Sequence, residues 1–378
     1  MTARGSSVRI IAVGDICPGD HYFSLGHGVR GSFERYGQHF LFANVKQILQ
    51  QSDVCFCNLE GVISDVGLNR GSFESIAFRG HPAMAQELRD AGFTIVNIAN
   101  NHVSQHGPSA FADTVATLKT HGLRPLGLRS DGIYSSLPVI SACNGIRLGF
   151  LGYSLVPDPY AKGNLPYAMG SAEQIKRDVS ILRQKVDFIF VSCHYGIEAT
   201  PAPSLAGVDF ARELADAGVD VFIGHHPHVF QPIEKYHNSI ILYSLGNFVS
   251  DFFWDHRAIN SGIVEIELTV GKAVGVRIHP VRTNRSCQPE CREPDSSNYV
   301  DPQELVVLSC PLFQRELRNY FYYVNAFKAH MYLNVRKLIY FLINFPFGFS
   351  RLKAAFLCNK ILSRIREWQK RRTMQTPQ

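Results

Sequence analysis

No apolar run in this chain reaches the roughly 20 residues that a membrane-spanning helix needs. The longest candidate, 338–349, is interrupted by Asn344 and Pro346. No export leader is expected either, since residues 1–7 are polar and the apolar run that begins at Val8 ends at Gly14-Asp15. Together these absences predict a cytoplasmic protein, peripheral at most on the inner membrane face. Cysteine is present but unpaired in pattern. Nine residues, an odd number at irregular spacing, contain no Cys-x-x-Cys pair, which excludes both a disulfide framework and a thiolate-only zinc site. Reduced, buried thiols are expected, with Cys55 and Cys57 on one face of a strand. Charge is scarce too, at 19% against 46% hydrophobic, as in a globular chain with a sizeable core. There is no internal repeat and no recognisable nucleic-acid module, so no specific nucleic acid is expected as a partner.

The net charge of +6 is unevenly spread. From Gln314 onward there are 13 Lys and Arg against 2 Asp and Glu, which leaves 25 and 30 in the rest of the chain. A mildly acidic body thus carries a basic end. In that end, aromatic and aliphatic residues alternate with Arg and Lys, as in a helix lying in a membrane interface, so an anionic membrane surface is the expected partner of 304–372. The same pattern also fits helices that pack their apolar faces on the body. Helices are expected at 305–323, 324–340 and 352–370, with a polar, Pro-containing linker at 283–303.

Strand and helix signals alternate through most of 8–250. Strands are expected at 8–13, 53–57, 94–99, 186–193, 219–223 and 239–244, with helices at 40–49, 82–91, 109–121, 172–185 and 204–217. A loop is expected at 67–80. Two hairpins, one turning at Asn144-Gly145 and one at Val270-Gly271-Lys272, add antiparallel strands. The pattern describes an α/β sandwich with mixed sheets.

The strand ends carry the chemistry. Val219–Ile223 runs directly into Gly224-His225-His226-Pro227-His228. Open α/β sheets place ligands at the carboxyl ends of their strands, and His226 and His228, separated by a stiff proline, can turn to one point. A surface loop with a chance histidine cluster is the alternative. Against it, other strand ends supply Asp15, Glu60, Asn101-His102 and His194. Carboxylates, an amide and imidazoles together describe a site for two divalent cations, of the Mn, Fe or Zn kind.

At these residues the chain resembles the bacterial capsule-synthesis CapA family, associated with poly-γ-glutamate biosynthesis and related by fold to the calcineurin-like metallophosphatases. The resemblance spans about 8–282 and rests on Val13-Gly14-Asp15, Asn58-Leu59-Glu60, Asn100-Asn101-His102, His194-Tyr195-Gly196-Ile197-Glu198, Gly224-His225-His226-Pro227-His228-Val229 and Tyr243-Ser244-Leu245-Gly246-Asn247-Phe248. It implies a four-layer α/β/β/α sandwich over 8–282 with a helical C-terminal appendage. It further implies that Asp15 holds one metal, Glu60 bridges two, Asn101 and His194 bind the second, and His226 and His228 close the site. His102 would be the proton donor to a leaving oxygen, and His225 could exchange roles with a neighbour. The implied function is metal-dependent hydrolysis in polyanionic polymer synthesis, on a polymer or phosphoester substrate; the alternative is a non-catalytic subunit of a synthesis or export complex. The chain departs from these patterns in three places. Cys17 stands where ordinary metallophosphatases have the His of Asp-x-His, Gln105 stands where the family often has Asp, and the N-terminal membrane anchor usual in the family is not seen.

Overall fold

The computed structural model describes residues 7–132, 135–161, 164–269, 272–292, 331 and 333–337. The chain divides into two compact units, Met1–Asn334 and Val335–Gln378. In chain order the elements of the first are β1 (Ser7–Ile16), α1 (Val29–Tyr36), α2 (Lys46–Leu49), β2 (Val54–Leu59), β3 (Val62–Ile63), α3 (Phe73–Ile76), β4 (Arg79–Gly80), α4 (Met84–Ala91), β5 (Ile95–Asn97), α5 (Gly107–Thr120), β6 (Arg124–Leu126), β7 (Val139–Cys143), β8 (Ile146–Ser154), α6 (Ala172–Arg183), β9 (Phe188–His194), α7 (Leu205–Asp216), β10 (Val221–His225), β11 (Ile233–Tyr236), β12 (Ser239–Leu242), β13 (Asn247–Val249), β14 (Asn260–Thr269), β15 (Lys272–Thr283) and β16 (Pro289–Cys291).

Two mixed sheets form the middle of the fold. One runs β16-β15-β14-β1-β2-β5-β6, with β13 also pairing β1; the other runs β11-β12-β10-β9-β8-β7. Alternation along each strand sorts its side chains between two cores. Ile10 and Ala12 of β1 enter an apolar layer between the sheets with Phe56, Phe150, Phe190 and Ile223. Ile11 and Val13 face the other way, toward α2, α4 and α5, in a layer that also holds Cys55 and Cys57. A third layer packs α6 and α7 against Ile189, Val191 and Phe222. The result is the expected α/β/β/α sandwich, and the two cysteines share a face as their spacing predicts. The Asn144-Gly145 turn has both φ angles positive, at 51° and 80°, as a tight hairpin requires.

Three expectations fail locally. The helix predicted over 40–49 is reduced to Lys46–Leu49, because the Glu87 carboxylate claims the backbone N–H groups of His39 and Leu41 and holds the preceding segment in turns. The stretch 67–80 is more ordered than a loop. It contains α3 and β4, and the buried Arg79 guanidinium donates to the carbonyls of Ser64, Val66 and Ser75. The predicted linker 283–303 starts too early: Asn284 Oδ1 accepts from Ser286 N at 2.9 Å and Gln288 N at 3.1 Å, turning the chain so that Pro289–Cys291 joins the sheet edge. Residues 293–303, and the C-terminal helices other than helical backbone at 331 and 333–337, lie outside the described residues. Among the described residues, no helix is long and apolar enough to cross a membrane.

The segment between β12 and β13 joins the sheets. Leu245 N donates to Gly224 O at 3.3 Å in one sheet, and Gly246 O accepts from Asp15 N at 2.8 Å in the other. This approach leaves no room for side chains. A Cβ on Gly14 would lie 2.0 Å from Gly246 O, and one on Gly224 would lie 2.0 Å from Tyr243 O. Both obstacles are backbone and cannot rotate away. Gly14→Ala is expected to cost at least about 3 kcal/mol, whereas Gly275→Ala, with nothing within 4 Å of the new carbon, stays within about 0.5 kcal/mol of wild type. Equal denaturant midpoints for the two variants would contradict this.

Candidate metal centre

Carboxyl ends of strands from both sheets converge on one crevice. From the first sheet come Asp15 on β1, Asn58 on β2 with Glu60 just beyond it, and Asn100 to His102 after β5. From the second come His194 on β9 and His225 on β10, followed by His226 and His228. All seven site residues expected from the sequence, Asp15, Glu60, Asn101, His102, His194, His226 and His228, therefore meet. Backbone geometry explains how two near-adjacent histidines share a target. His225 ends β10 in register with His194. His226 and His228 then take positive φ values of 95° and 59°. These left-handed turns break strand alternation, so the residues flanking Pro227 both reach the crevice. Asp15 Oδ2 accepts from His226 N at 3.3 Å, and Ala199 N donates to Pro227 O at 2.8 Å, which fixes the loop.

Asp15 is completely buried. Its Oδ1 accepts from Asn58 Nδ2 at 2.9 Å and from His225 Nδ1 at 3.0 Å. His228 Nδ1 lies 2.9 Å from Asn247 Oδ1, 3.4 Å from Asp15 Oδ2 and 3.6 Å from Glu60 Oε2. His194 Nε2 lies 2.9 Å from Asn101 Oδ1 and 3.5 Å from Glu60 Oε1. Two clusters share Glu60: one with Cys17 and His228, one with His194 and His226, each with ligand atoms within 4.8 Å of one another. Glu198 forms a third with His226 and His228.

The charges are unbalanced by protein groups alone. Burial works against an ionised Asp15, but hydrogen bonds with His225 and His228 outweigh it and hold the carboxyl well below its usual range. Burial raises Glu60, with the Asp15 charge adding to it against His228. Burial likewise opposes a charged His228, yet Glu60 and Asp15 push it up to about 10. Burial and His194 push His226 down to about 3, and burial takes His194 well below its usual value. Imidazoles held toward the neutral form thus lie beside a crowded pair of carboxyl groups. Both Glu60 oxygens and His226 Nδ1 are buried without a hydrogen-bond partner. Orphaned buried acceptors are costly, and cations are what this donor set fits.

His102 stands at the rim. Its Nε2 is 3.9 Å from Glu60 Oε1, its Nδ1 is 3.1 Å from Gln105 Oε1, and its ring stacks on Phe78 at 4.7 Å between centroids. Gln105, the departure from the family's aspartate, therefore still holds this imidazole, through a neutral acceptor. Sequence reasoning gave no role to Asn58, Asn97 or Asn247. Asn58 Oδ1 accepts from Asn97 Nδ2 at 2.8 Å, so a row of amides orders the carboxylate, and the quoted Asn58 and Asn247 motifs already contained the signal.

A second buried carboxylate pair, Asp20 and Asp251, was also missed. Asp251 follows β13 as a strand-end carboxylate and acts on Cys17 electrostatically. Gly28 separates the pair: a Cβ there would lie 2.1 Å from Asp251 Oδ2 and 2.7 Å from Asp20 Oδ1. Burial raises Asp20 to about 6, against hydrogen bonds from Gly31 and Gly26. Burial, then the Asp20 charge, raises Asp251 to about 7. Raised carboxyl values favour the fold fully below the unfolded carboxylate pKa, and that contribution is lost as pH rises through 6 to 7. The melting temperature should therefore fall between about pH 4 and pH 8, and Asp251→Asn should flatten that slope. An unchanged slope in Asp251→Asn would contradict the assignment.

Residues 9–252 match the family model described as bacterial capsule synthesis protein PGA_cap. The capsule biosynthesis protein CapA of Bacillus anthracis is 30% identical over 274 residues, covering 70% of this chain and 65% of that protein. The PGA biosynthesis protein CapA of Bacillus subtilis (strain 168) is 30% identical over 249 residues, covering 65% of each. A protein of Mycobacterium tuberculosis named as a probable polyglutamine synthesis accessory protein is 29% identical over 255 residues, 62% of this chain and 67% of that one. The chain thus spans about 65% of the length of the Bacillus relatives. Similar solved structures include a hypothetical protein from Thermus thermophilus (15% identity, 72% of this chain, 98% of that one, TM-score 0.43). Another is the 5'-nucleotidase of Candida albicans (12% identity, 74% and 52%, TM-score 0.40). With a family model matched over well more than half its length, and with the crevice motifs lying inside that match, the chain belongs to the bacterial capsule synthesis PGA_cap family.

Proposed function

We infer that this chain is a two-metal hydrolase acting in capsule or poly-γ-glutamate-type polymer biosynthesis, on a polyanionic polymer or a phosphoester. The observation that carries the reading is Glu60, whose two oxygens are buried without a hydrogen bond and shared between two ligand clusters. Asp15, Glu60 and His228 would hold one cation; Glu60, Asn101, His194 and His226 would hold the other. Bound there, two divalent ions supply an activated water and neutralise the charge that develops on an anionic substrate.

The chain's own groups do the rest. Asn58 and His225 fix the Asp15 carboxylate, and Asn247 fixes the ring of His228. His102, held by Gln105 and Phe78 at the rim, would carry the proton for the leaving oxygen. Phe252, stacked against Trp254 and packed on His228, shields that side of the crevice from water. The basic region 304–372 would hold the body near an anionic membrane surface, a reading supported by its excess of Lys and Arg.

The accessory name of the Mycobacterium relative favours a second reading, a non-catalytic subunit on the same fold. His102→Ala separates the two. The hydrolase reading expects turnover of a generic phosphodiester to drop about 10²–10⁴-fold, with bound metal and melting temperature near wild type. Unchanged turnover in the variant, or none in metal-loaded wild type, favours the accessory role.

A further inference from the structure

Cys17 is the one buried thiol, among the described residues, that belongs to none of the three apolar layers. Cys55, Cys57 and Cys287 pack in the layer under α2 and α4, and Cys193 packs in the layer under α6 and α7. Cys17 is only 3% exposed. Its sulfur lies within 4.8 Å of ligand atoms of both Glu60 and His228. It follows Asp15 by two residues, beyond a register shift at Asp15/Ile16, and its N–H is tied to Val249 O at 2.9 Å. The backbone at this position is therefore fixed by the strand pairing that positions Asp15. A thiol that merely filled space would gain more by facing apolar atoms. Here it lies beside an imidazole and a buried carboxylate that makes no hydrogen bond.

We propose that Cys17 Sγ is a ligand of the cation on the Asp15 side, so that this half of the centre is a mixed thiolate, carboxylate and imidazole site. The inference rests on the two-metal reading above and refines it. On binding, the Cys17 S–H bond breaks, its proton leaves to solvent and a sulfur–metal bond forms; no electron changes hands. The pattern departure at Cys17 is then a change of ligand and not the loss of one. Thiolate is softer than carboxylate, so this half of the site favours zinc or ferrous iron over manganese.

Cobalt(II) added to the metal-free full chain reads the sulfur directly. Visible d–d bands report that cobalt is bound, whereas a near-ultraviolet thiolate-to-cobalt charge-transfer band reports sulfur in the coordination sphere. Wild type should show both. Cys17→Ser should lose the charge-transfer band and bind one cobalt at least about tenfold more weakly. Cys17→His supplies an alternative ligand; it should keep wild-type stoichiometry without the band, and its preference for zinc over manganese should narrow. It also decides the question if the serine variant fails to melt cooperatively. A charge-transfer band of wild-type intensity in either variant, or visible bands with no charge-transfer band in wild type, would overturn the ligand assignment and leave the two-metal reading standing. Absence of visible bands from wild type would overturn both.

Discussion

The rest of the molecule depends on two carboxylates, Asp15 and Glu60, buried where the strands of two sheets end. Taking such groups out of water is expensive unless charge or hydrogen bonds replace the solvent. Asp15 is compensated by Asn58, His225 and the N–H of His226. Glu60 has only imidazole nitrogens 3.5–3.9 Å away, and neither of its oxygens makes a hydrogen bond. Among the protein's own groups, the charges of Glu60 and Asp15 favour a protonated His228. One imidazolium leaves the Glu60 oxygens without a hydrogen bond, and that deficit is what a bound cation would relieve.

The scaffold accepts further costs to keep this geometry. His226 and His228 hold left-handed backbone, which disfavours side-chain-bearing residues by about 1–3 kcal/mol each. The segment between β12 and β13 approaches Gly14 and Gly224 so closely that no Cβ fits at either. Such concentrations of strain and buried charge mark places where function has overridden stability. The apolar layers that offset them lie on either side of both sheets and keep the strand ends rigid.

Much of this was legible in the sequence because strands announce themselves twice, by an apolar run and by where it stops. Asp15, Glu60, Asn101, His194 and the histidine triplet each follow such a stop, and the structure gathers them. Less legible was anything decided by a single unusual dihedral or by a distant partner. Periodicity cannot foresee that His226 turns left-handed while His225 stays in the strand, so it could not divide the roles of the triplet. The segment before α2 reads as a helix until Glu87 captures its N–H groups from across the core. Asp20 and Asp251 are 231 residues apart and meet only around Gly28, which no local pattern signals. Asn284 turned an expected linker into a sheet edge with one side chain.

The shared carboxylate is tested most directly by counting ions. Protein purified after growth with added zinc, iron and manganese, and analysed for elements per chain, should carry about two divalent ions. Glu60→Ala should carry one or none while still melting cooperatively. A folded wild-type protein free of metal under those conditions, or a Glu60→Ala variant with the full complement, would contradict a centre built on Glu60.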